Sequence, residues 1–75
     1  MLWFPIHINS SELARMEIQR RDWLDLSDPE VISDAVCTYD VRLDGRTVGQ
    51  VKHRYGDMKW PLIRAAVELI ESEGL

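Results

Sequence analysis

The dipeptide Asp44-Gly45 constrains the fold of this chain more than any other feature of its sequence. Asp-Gly suits the two central positions of a type I′ turn, which both require a positive φ. In the preceding segment, from Val31 to Leu43, mostly apolar residues occupy the odd positions and most polar residues the even ones. Because this alternation is typical of a half-buried strand, the sequence predicts a β-hairpin that turns at Asp44-Gly45.

The second strand of this hairpin keeps an apolar face only if it contains a bulge. A register that pairs Val41 with Val48 and continues without a shift would turn polar residues toward the core further along the strand. One extra residue at Gly49-Gln50 corrects the register, so we predict a bulge there. The apolar face then holds Val51, His53 and Tyr55, and the outer face holds Lys52 and Arg54.

Clear signals also mark the two ends of the chain. The residues from Leu2 to Ile8 alternate as in a strand with one apolar face. Pro5 has no N–H to donate to a ladder, which places this strand at a sheet edge or beside a bulge. Residues 61–73 form an amphipathic helix, with Pro61 in its first turn and Gly74 just past its end.

The segment between the first strand and the hairpin is predicted to be helical. Asn9 and Glu12 have the spacing of a capping box, which predicts a helix from about Ser11 into the low twenties. Arg20 lies within the apolar stripe of that helix, so its side chain either extends past the apolar surface or marks the helix end. A Ser-Asp-Pro-Glu run predicts a turn or a single helical turn over residues 28–33.

Together these elements predict an α+β fold in the order β-α-β-β-α, with a three-stranded antiparallel sheet and two helices chiefly on one face. We expect residues 1–75 to form a single domain, because so short a chain cannot bury two cores. A core of this size leaves about 3–5 kcal/mol of net stability, so a homodimer would benefit the protein.

Cysteine content and hydropathy indicate the compartment. The one cysteine, Cys37, cannot form an internal disulfide, which favours a reducing, cytoplasmic location. The apolar start of the chain lacks a basic region and is too short for a signal peptide or a membrane span. We therefore expect a cytoplasmic protein that does not associate with membranes.

Sequence signals for catalysis and metal binding are weak. The bulged register places Cys37 near His53, the minimal pair for a thiolate nucleophile. Adding His7 would give three metal ligands, but none of the short ligand spacings of structural zinc sites is present. Packing in the core is the simpler interpretation of the pair. We therefore predict no catalytic residue, no metal and no cofactor, and keep a Cys/His-dependent enzyme only as the third hypothesis.

Charge divides the chain, whose net charge is −4, into two parts. Residues 10–34 carry seven carboxylates and three arginines, whereas residues 35–59 carry five cations and three carboxylates. The basic part supports a nucleic-acid-binding regulator, because cations along a two-stranded ribbon can contact phosphates. The residues of that candidate interface are Arg42, Arg46, Lys52 and Arg54.

The acidic part supports the leading hypothesis, a non-enzymatic inhibitor or adaptor that binds a protein. Carboxylates interleaved with aromatic and aliphatic side chains suit a partner with a basic groove. The candidate residues are Asp22, Trp23, Asp25, Asp28 and Glu30. The alternatives are a solvated surface for the acids and core positions for Trp23 and Trp60.

In overall character the chain resembles the small acidic proteins of phages and mobile elements, including anti-CRISPR proteins. The resemblance rests on its length, its one cysteine, the acidic stretch from Asp22 to Asp34 and the hairpin followed by a helix. It implies an inhibitor of a nucleic-acid-processing complex that covers a basic groove or locks a subunit. Anti-CRISPR proteins share no motif, so no individual residue takes its role from this resemblance.

Overall fold

The computed structural model describes residues 2–7 and 13–73. Its elements are β1 (Leu2–His7), β2 (Leu13–Arg20), α1 (Pro29–Asp34), β3 (Val36–Leu43), β4 (Arg46–Arg54) and α2 (Trp60–Ser72). The strands form one antiparallel sheet in the order β1-β2-β3-β4. The predicted α+β class is confirmed, but the sheet has four strands rather than three, and the element order is β-β-α-β-β-α.

The additional strand is β2, where the sequence predicted a helix. Ala14, Met16 and Ile18 are buried, and the residues between them point to the opposite face, so the segment follows a period of two. Its Ala, Arg, Met, Glu and Gln residues favour helices, which obscured that period. Pairing with β1 on one side and β3 on the other overrides the helix propensity. The predicted capping box lies outside the described residues.

One face of the sheet, which we call the inner face, packs against α2. Leu62, Ala66 and Ile70 lie four residues apart on one side of α2 and are buried against it. The strand residues buried on the inner face are Ala14, Met16, Ile18, Cys37, Tyr39, Val41, Leu43 and His53. The predicted C-terminal helix is thus confirmed, although Gly74 lies outside the described residues. We call the opposite side of the sheet the open face.

The hairpin turns where predicted, with φ values of 50° at Asp44 and 83° at Gly45. A bulge is also present, but the extra residue is Val48, slightly earlier than predicted, because Val41 pairs with Gly49 and the next pair toward the turn skips one residue. Gly49 lies beneath α2, where a Cβ would approach Leu69 Cδ2 to 3.0 Å. Beyond the bulge the register is the predicted one.

The short helix α1 confirms the helical turn predicted over residues 28–33. Its N-cap is Asp28, whose carboxylate accepts a hydrogen bond from the Glu30 N–H at 3.0 Å. The alternating pattern that begins at Val31 becomes a strand only at Val36. The turn after β4 packs against α1 so closely that a Cβ on Gly56 would lie 2.9 Å from a backbone carbonyl of the helix.

Candidate functional site

The ends of the elements place a set of exposed apolar side chains at one end of the sheet. Residues 21–35 connect β2 to β3 and residues 55–59 connect β4 to α2, so both segments lie at the end that we call the loop end. Its large exposed apolar side chains are Trp23, Leu26, Val36, Met58 and Trp60. Such a concentration is typical of a surface that another molecule covers, whereas single exposed apolar residues are common everywhere.

Trp23 is the most exposed of these side chains, at 86%. Trp60, in the first turn of α2, is 64% exposed. The core positions considered for these two tryptophans are therefore wrong. That Met58 lies at the same end was not predicted from the sequence, because the two segments are joined by contacts between distant residues, the packing of α1 against the turn after β4 and the hydrogen bond from the Tyr55 N–H to the Ala35 carbonyl.

The aspartates of the acidic segment hold its backbone conformation through hydrogen bonds, in addition to giving the segment a negative charge. Asp22 Oδ2 accepts a hydrogen bond from the Thr38 N–H at 2.7 Å, which ties the segment to β3. Asp25 Oδ1 accepts from Ser27 N at 3.1 Å and from Ser27 Oγ at 2.6 Å, and these bonds lower the pKa of Asp25. With Asp28 capping α1, the segment is held in place at three points.

The structure brings all five residues of the predicted acidic surface into one exposed segment at the loop end. These residues are Asp22, Trp23, Asp25, Asp28 and Glu30. The Glu30 side chain lies in the first turn of α1, where a negative charge interacts favourably with the helix dipole.

A cavity of about 340 Å³ opens at the loop end, between the inner face and the start of α2. We call it the inner groove. Its polar lining residues are Gln19, Arg20, Tyr39, Tyr55 and Lys59, and Leu2, Ile18 and Leu62 form its apolar walls. This groove was not predicted from the sequence, because Arg20 was assigned to a predicted helix or to its end, and not to the end of a strand.

Two cations in the inner groove lie against one aromatic ring. The guanidinium carbon of Arg20 is 4.9 Å from the centre of the Tyr55 ring, and Lys59 Nζ is 4.7 Å from it. Lys59 Nζ also donates a hydrogen bond to the Tyr55 carbonyl at 3.1 Å. Within residues 2–7 and 13–73, neither cation has a carboxylate within 4.0 Å.

The hydroxyl of Tyr39 is the unusual polar group of the inner groove. Tyr39 is only 6% exposed, and its hydroxyl is buried with no hydrogen-bond partner in the described part of the chain. Burial raises the pKa of Tyr39, and the nearby charge of Arg20 acts in the opposite direction. The phenol is therefore a neutral donor without an acceptor.

The Cys37–His53 pair lies in the core. The two residues are directly opposite on β3 and β4, and both side chains are buried on the inner face. Burial raises the pKa of the Cys37 thiol, which disfavours the thiolate that nucleophilic catalysis requires. His7 is exposed on β1 opposite Leu13, at the far end of the sheet, so the structure does not bring the three residues together. The described residues contain no cluster of three potential metal ligands.

The basic residues of the hairpin do not form one surface. Lys52 and Arg54 are exposed on the open face, and Arg42 lies on the same face opposite Glu17 of β2. Arg46 is opposite Leu43, a residue of the inner face, so the tip places it on the other side of the sheet.

The open face also carries features that the sequence analysis did not assign to it. Trp3 is 55% exposed there, and the guanidinium carbon of Arg15 lies 4.5 Å from its ring centre. Two ion pairs partly neutralise the positive charge of this face. They are Arg15–Glu17 at 3.7 Å and Arg21–Asp40 at 3.5 Å. The open face is therefore mixed in charge around one exposed aromatic ring.

Comparisons with protein-family models, with curated proteins and with solved structures find no match for this chain. No helix among the described residues has the length and apolar character needed to cross a membrane. The interpretation of the site therefore rests on its own geometry.

Proposed function

We propose that this chain is a non-enzymatic protein-binding inhibitor or adaptor that contacts its partner through the loop end. The observation that carries this proposal is the 86% exposure of Trp23 within a segment that hydrogen bonds hold in place. Tryptophan is among the residues that contribute most to protein interfaces. Presenting it on a preorganised segment reduces the entropy lost on binding.

The charge around Trp23 indicates the chemistry of the partner. Exposed carboxylates of Asp22, Asp25, Asp28 and Glu30 lie in the same segment as Trp23 and Leu26. A partner with a basic surface complements this arrangement and is attracted to it over a distance. A nucleic-acid-processing complex, the target that the resemblance to anti-CRISPR proteins implies, offers such a basic groove.

The test compares two exposed tryptophans. Trp23→Ala removes the proposed anchor, whereas Trp3→Ala removes the exposed tryptophan of the open face and serves as the matched control. We expect wild type and Trp3→Ala to capture the same protein from a lysate of the native host. Trp23→Ala should weaken binding to that purified protein by about 30-fold or more in calorimetry. Equal affinities of the two variants would contradict the proposal.

An electrostatic variant has to leave the fold of the segment intact. Charge reversal of Asp22 or Asp28 would also break a hydrogen bond that holds the loop, so those changes confound charge with structure. Glu30→Lys changes the surface charge without removing a side-chain hydrogen bond found in the described residues, and its structural cost is confined to the helix-dipole interaction of α1, about 0.3–1 kcal/mol. The variant should associate with the partner more slowly, and the association rate should depend less on salt. An unchanged association rate would contradict a role for the acidic surface in partner binding.

Self-association is a separate outcome of the same experiments. A homodimer through the loop end would cover Trp23, so Trp23→Ala would be monomeric where wild type is dimeric. Light scattering at high concentration measures this directly. A wild-type monomer would leave the loop end free for a different protein.

Nucleic-acid binding by the open face is the second candidate, and the stacking of Arg15 on the exposed Trp3 ring favours it. Single-stranded nucleic acids bind to aromatic side chains that share a surface with cations, and Arg42, Lys52 and Arg54 lie on the same face of the sheet as Trp3. Fluorescence anisotropy with labelled single strands and duplexes at low ionic strength tests this. Binding that weakens with salt and is lost in Trp3→Ala would support it, and no binding at low salt would exclude it.

A further inference from the structure

We propose that the inner groove binds a small organic anion, with an oxyanion group at its polar end and an apolar body against its walls. The proposal is independent of the protein-binding function, because it needs no partner protein. It rests on three observations that converge on the same cavity: two cations, a buried donor without an acceptor and the uncapped start of a helix.

The two cations of the groove lack a negative partner. Arg20 and Lys59 approach the same Tyr55 ring, and no carboxylate in the described residues pairs with either. The carboxylate of Asp22, whose charge also acts on Tyr39, accepts a hydrogen bond from the Thr38 N–H and does not pair with either cation. An entering oxyanion would supply the negative partner that the described residues do not, and the guanidinium can bind it with two parallel hydrogen bonds.

Tyr39 supplies the observation that points most directly to a ligand. Buried hydroxyls are almost always hydrogen-bonded, since an unpaired one destabilises the fold. Tyr39 is more than nine-tenths buried, lines the groove and leaves its hydroxyl without a partner among the described residues. This hydroxyl has almost no solvent-accessible surface in the free protein, so an anionic oxygen at the polar end of the groove accepts its hydrogen bond only if the groove opens slightly on binding.

The start of α2 adds a favourable dipole. No side chain caps the helix at Lys59, and Pro61 in the first turn has no N–H. Leu62 of the same turn lines the groove, so the positive end of a 13-residue helix lies beside the cavity. Helix N-termini of this kind bind anions.

The size and walls of the groove define the rest of the ligand. A volume of about 340 Å³ is near the lower end of the range for ligand pockets, which indicates a small molecule. Leu2, which is 37% exposed, provides most of its aliphatic surface, and the buried Ile18 and Leu62 lie behind it in the wall. An aromatic carboxylate such as benzoate therefore matches the groove better than inorganic phosphate does.

The experiment is an NMR titration of the ¹⁵N-labelled protein with benzoate and, separately, with phosphate, at constant ionic strength in chloride. We expect saturable shift changes at Gln19, Arg20 and Tyr55, with a benzoate dissociation constant on the order of 1 mM. Phosphate should bind more weakly. The absence of a saturable change at these residues would overturn the proposal. Phosphate binding as tight as that of benzoate would contradict the claim that the ligand has an apolar body.

Variants separate the groove from general electrostatics. Arg20→Gln should weaken benzoate binding by about tenfold or more. Arg64→Gln, which removes an exposed α2 arginine paired with Glu68, should leave the affinity unchanged. Lys59→Gln, at an exposed position, gives the same test if Arg20→Gln does not fold. Equal affinities of the groove variants and Arg64→Gln would overturn the site, whereas Trp23→Ala should bind benzoate as wild type does.

Discussion

Tyr39→Phe removes one oxygen atom from the inner groove, and the surroundings of that atom determine the sign of the effect on stability. An unpaired buried hydroxyl costs about 1–3 kcal/mol relative to a bonded one. Tyr39 is 94% buried and the packing of its ring is unchanged by the substitution, so the main loss is a few contacts of the oxygen. We therefore expect the free energy of unfolding to rise by about 1 kcal/mol, or the Tm by about 4–8 °C for a domain of this size.

The assay is urea denaturation of wild type and Tyr39→Phe, followed by circular dichroism, in a buffer without carboxylates or phosphate. Those anions would occupy the groove and give the hydroxyl a partner, which would hide the effect. Tyr55→Phe is the control, since Tyr55 is only half-buried and its hydroxyl is not an unpaired buried group. We expect it to change stability by less than about 0.5 kcal/mol.

The opposite sign would refute this reasoning. If Tyr39→Phe lowers the free energy of unfolding by about 1 kcal/mol, the hydroxyl has a hydrogen-bond partner in the free protein. The groove would then lack the free donor on which anion binding partly depends. If Tyr39→Phe is more stable and also binds benzoate more weakly, the Tyr39 hydroxyl lowers the stability of the free protein and donates a hydrogen bond to the bound anion.

Three further changes test the fold. Ile18→Ala should lower the free energy of unfolding by about 2–5 kcal/mol, whereas Gln19→Ala, exposed on the other face of β2, should change it by less than about 0.5 kcal/mol in urea denaturation. Equal losses would contradict the alternation of β2. Gly56→Ala should cost about 1–3 kcal/mol, because its Cβ would lie 2.9 Å from an α1 carbonyl, and Gly49→Ala should cost less, because it meets only a leucine side chain; thermal unfolding would show the difference. Since burial raises the pKa of the Cys37 thiol above its ordinary value of 9.0, the unfolded chain loses this proton first, and stability should fall as the pH rises above 9. Denaturation at a series of pH values should show a flatter slope for Cys37→Ala.

The elements that the sequence predicted correctly are those specified by a few neighbouring residues. Asp44-Gly45 is suited by its residue types to the required φ values, and hydrogen bonds between Asp44 and the Arg15 backbone of β2 only reinforce the turn. Asp28 followed by Pro29 starts α1 through a side-chain cap and a preset φ. The apolar arc of α2 repeats over three turns, which is long enough to identify a helix.

The strand β2 could not be identified in this way, because its stability comes from partners distant in sequence. Its residues favour a helix, and only pairing with β1 and β3 makes the buried alternation of Ala14, Met16 and Ile18 decisive. Pro5 did indicate correctly that β1 lies at an edge.

The same difference between local and long-range determinants separates the two candidate sites. The acidic segment is contiguous in sequence, so composition alone located it. The inner groove draws Arg20 from β2, Tyr39 from β3 and Lys59 from the turn before α2. The proximity of residues so far apart in sequence can be inferred only when the sheet order is known. Because β2 was predicted to be a helix, that proximity was not predicted.

The bulge at Val48 has a further consequence for the behaviour of the protein in solution. The sheet order leaves β1 and β4 as edges, each able to template a strand from another molecule. Pro5 removes one donor from the first edge, and the bulge bends the ladder of the second. Deleting Val48 would leave every other pair in register but straighten that edge. Such a variant should keep its core and its groove, yet grow into strand-linked aggregates more readily than the natural chain.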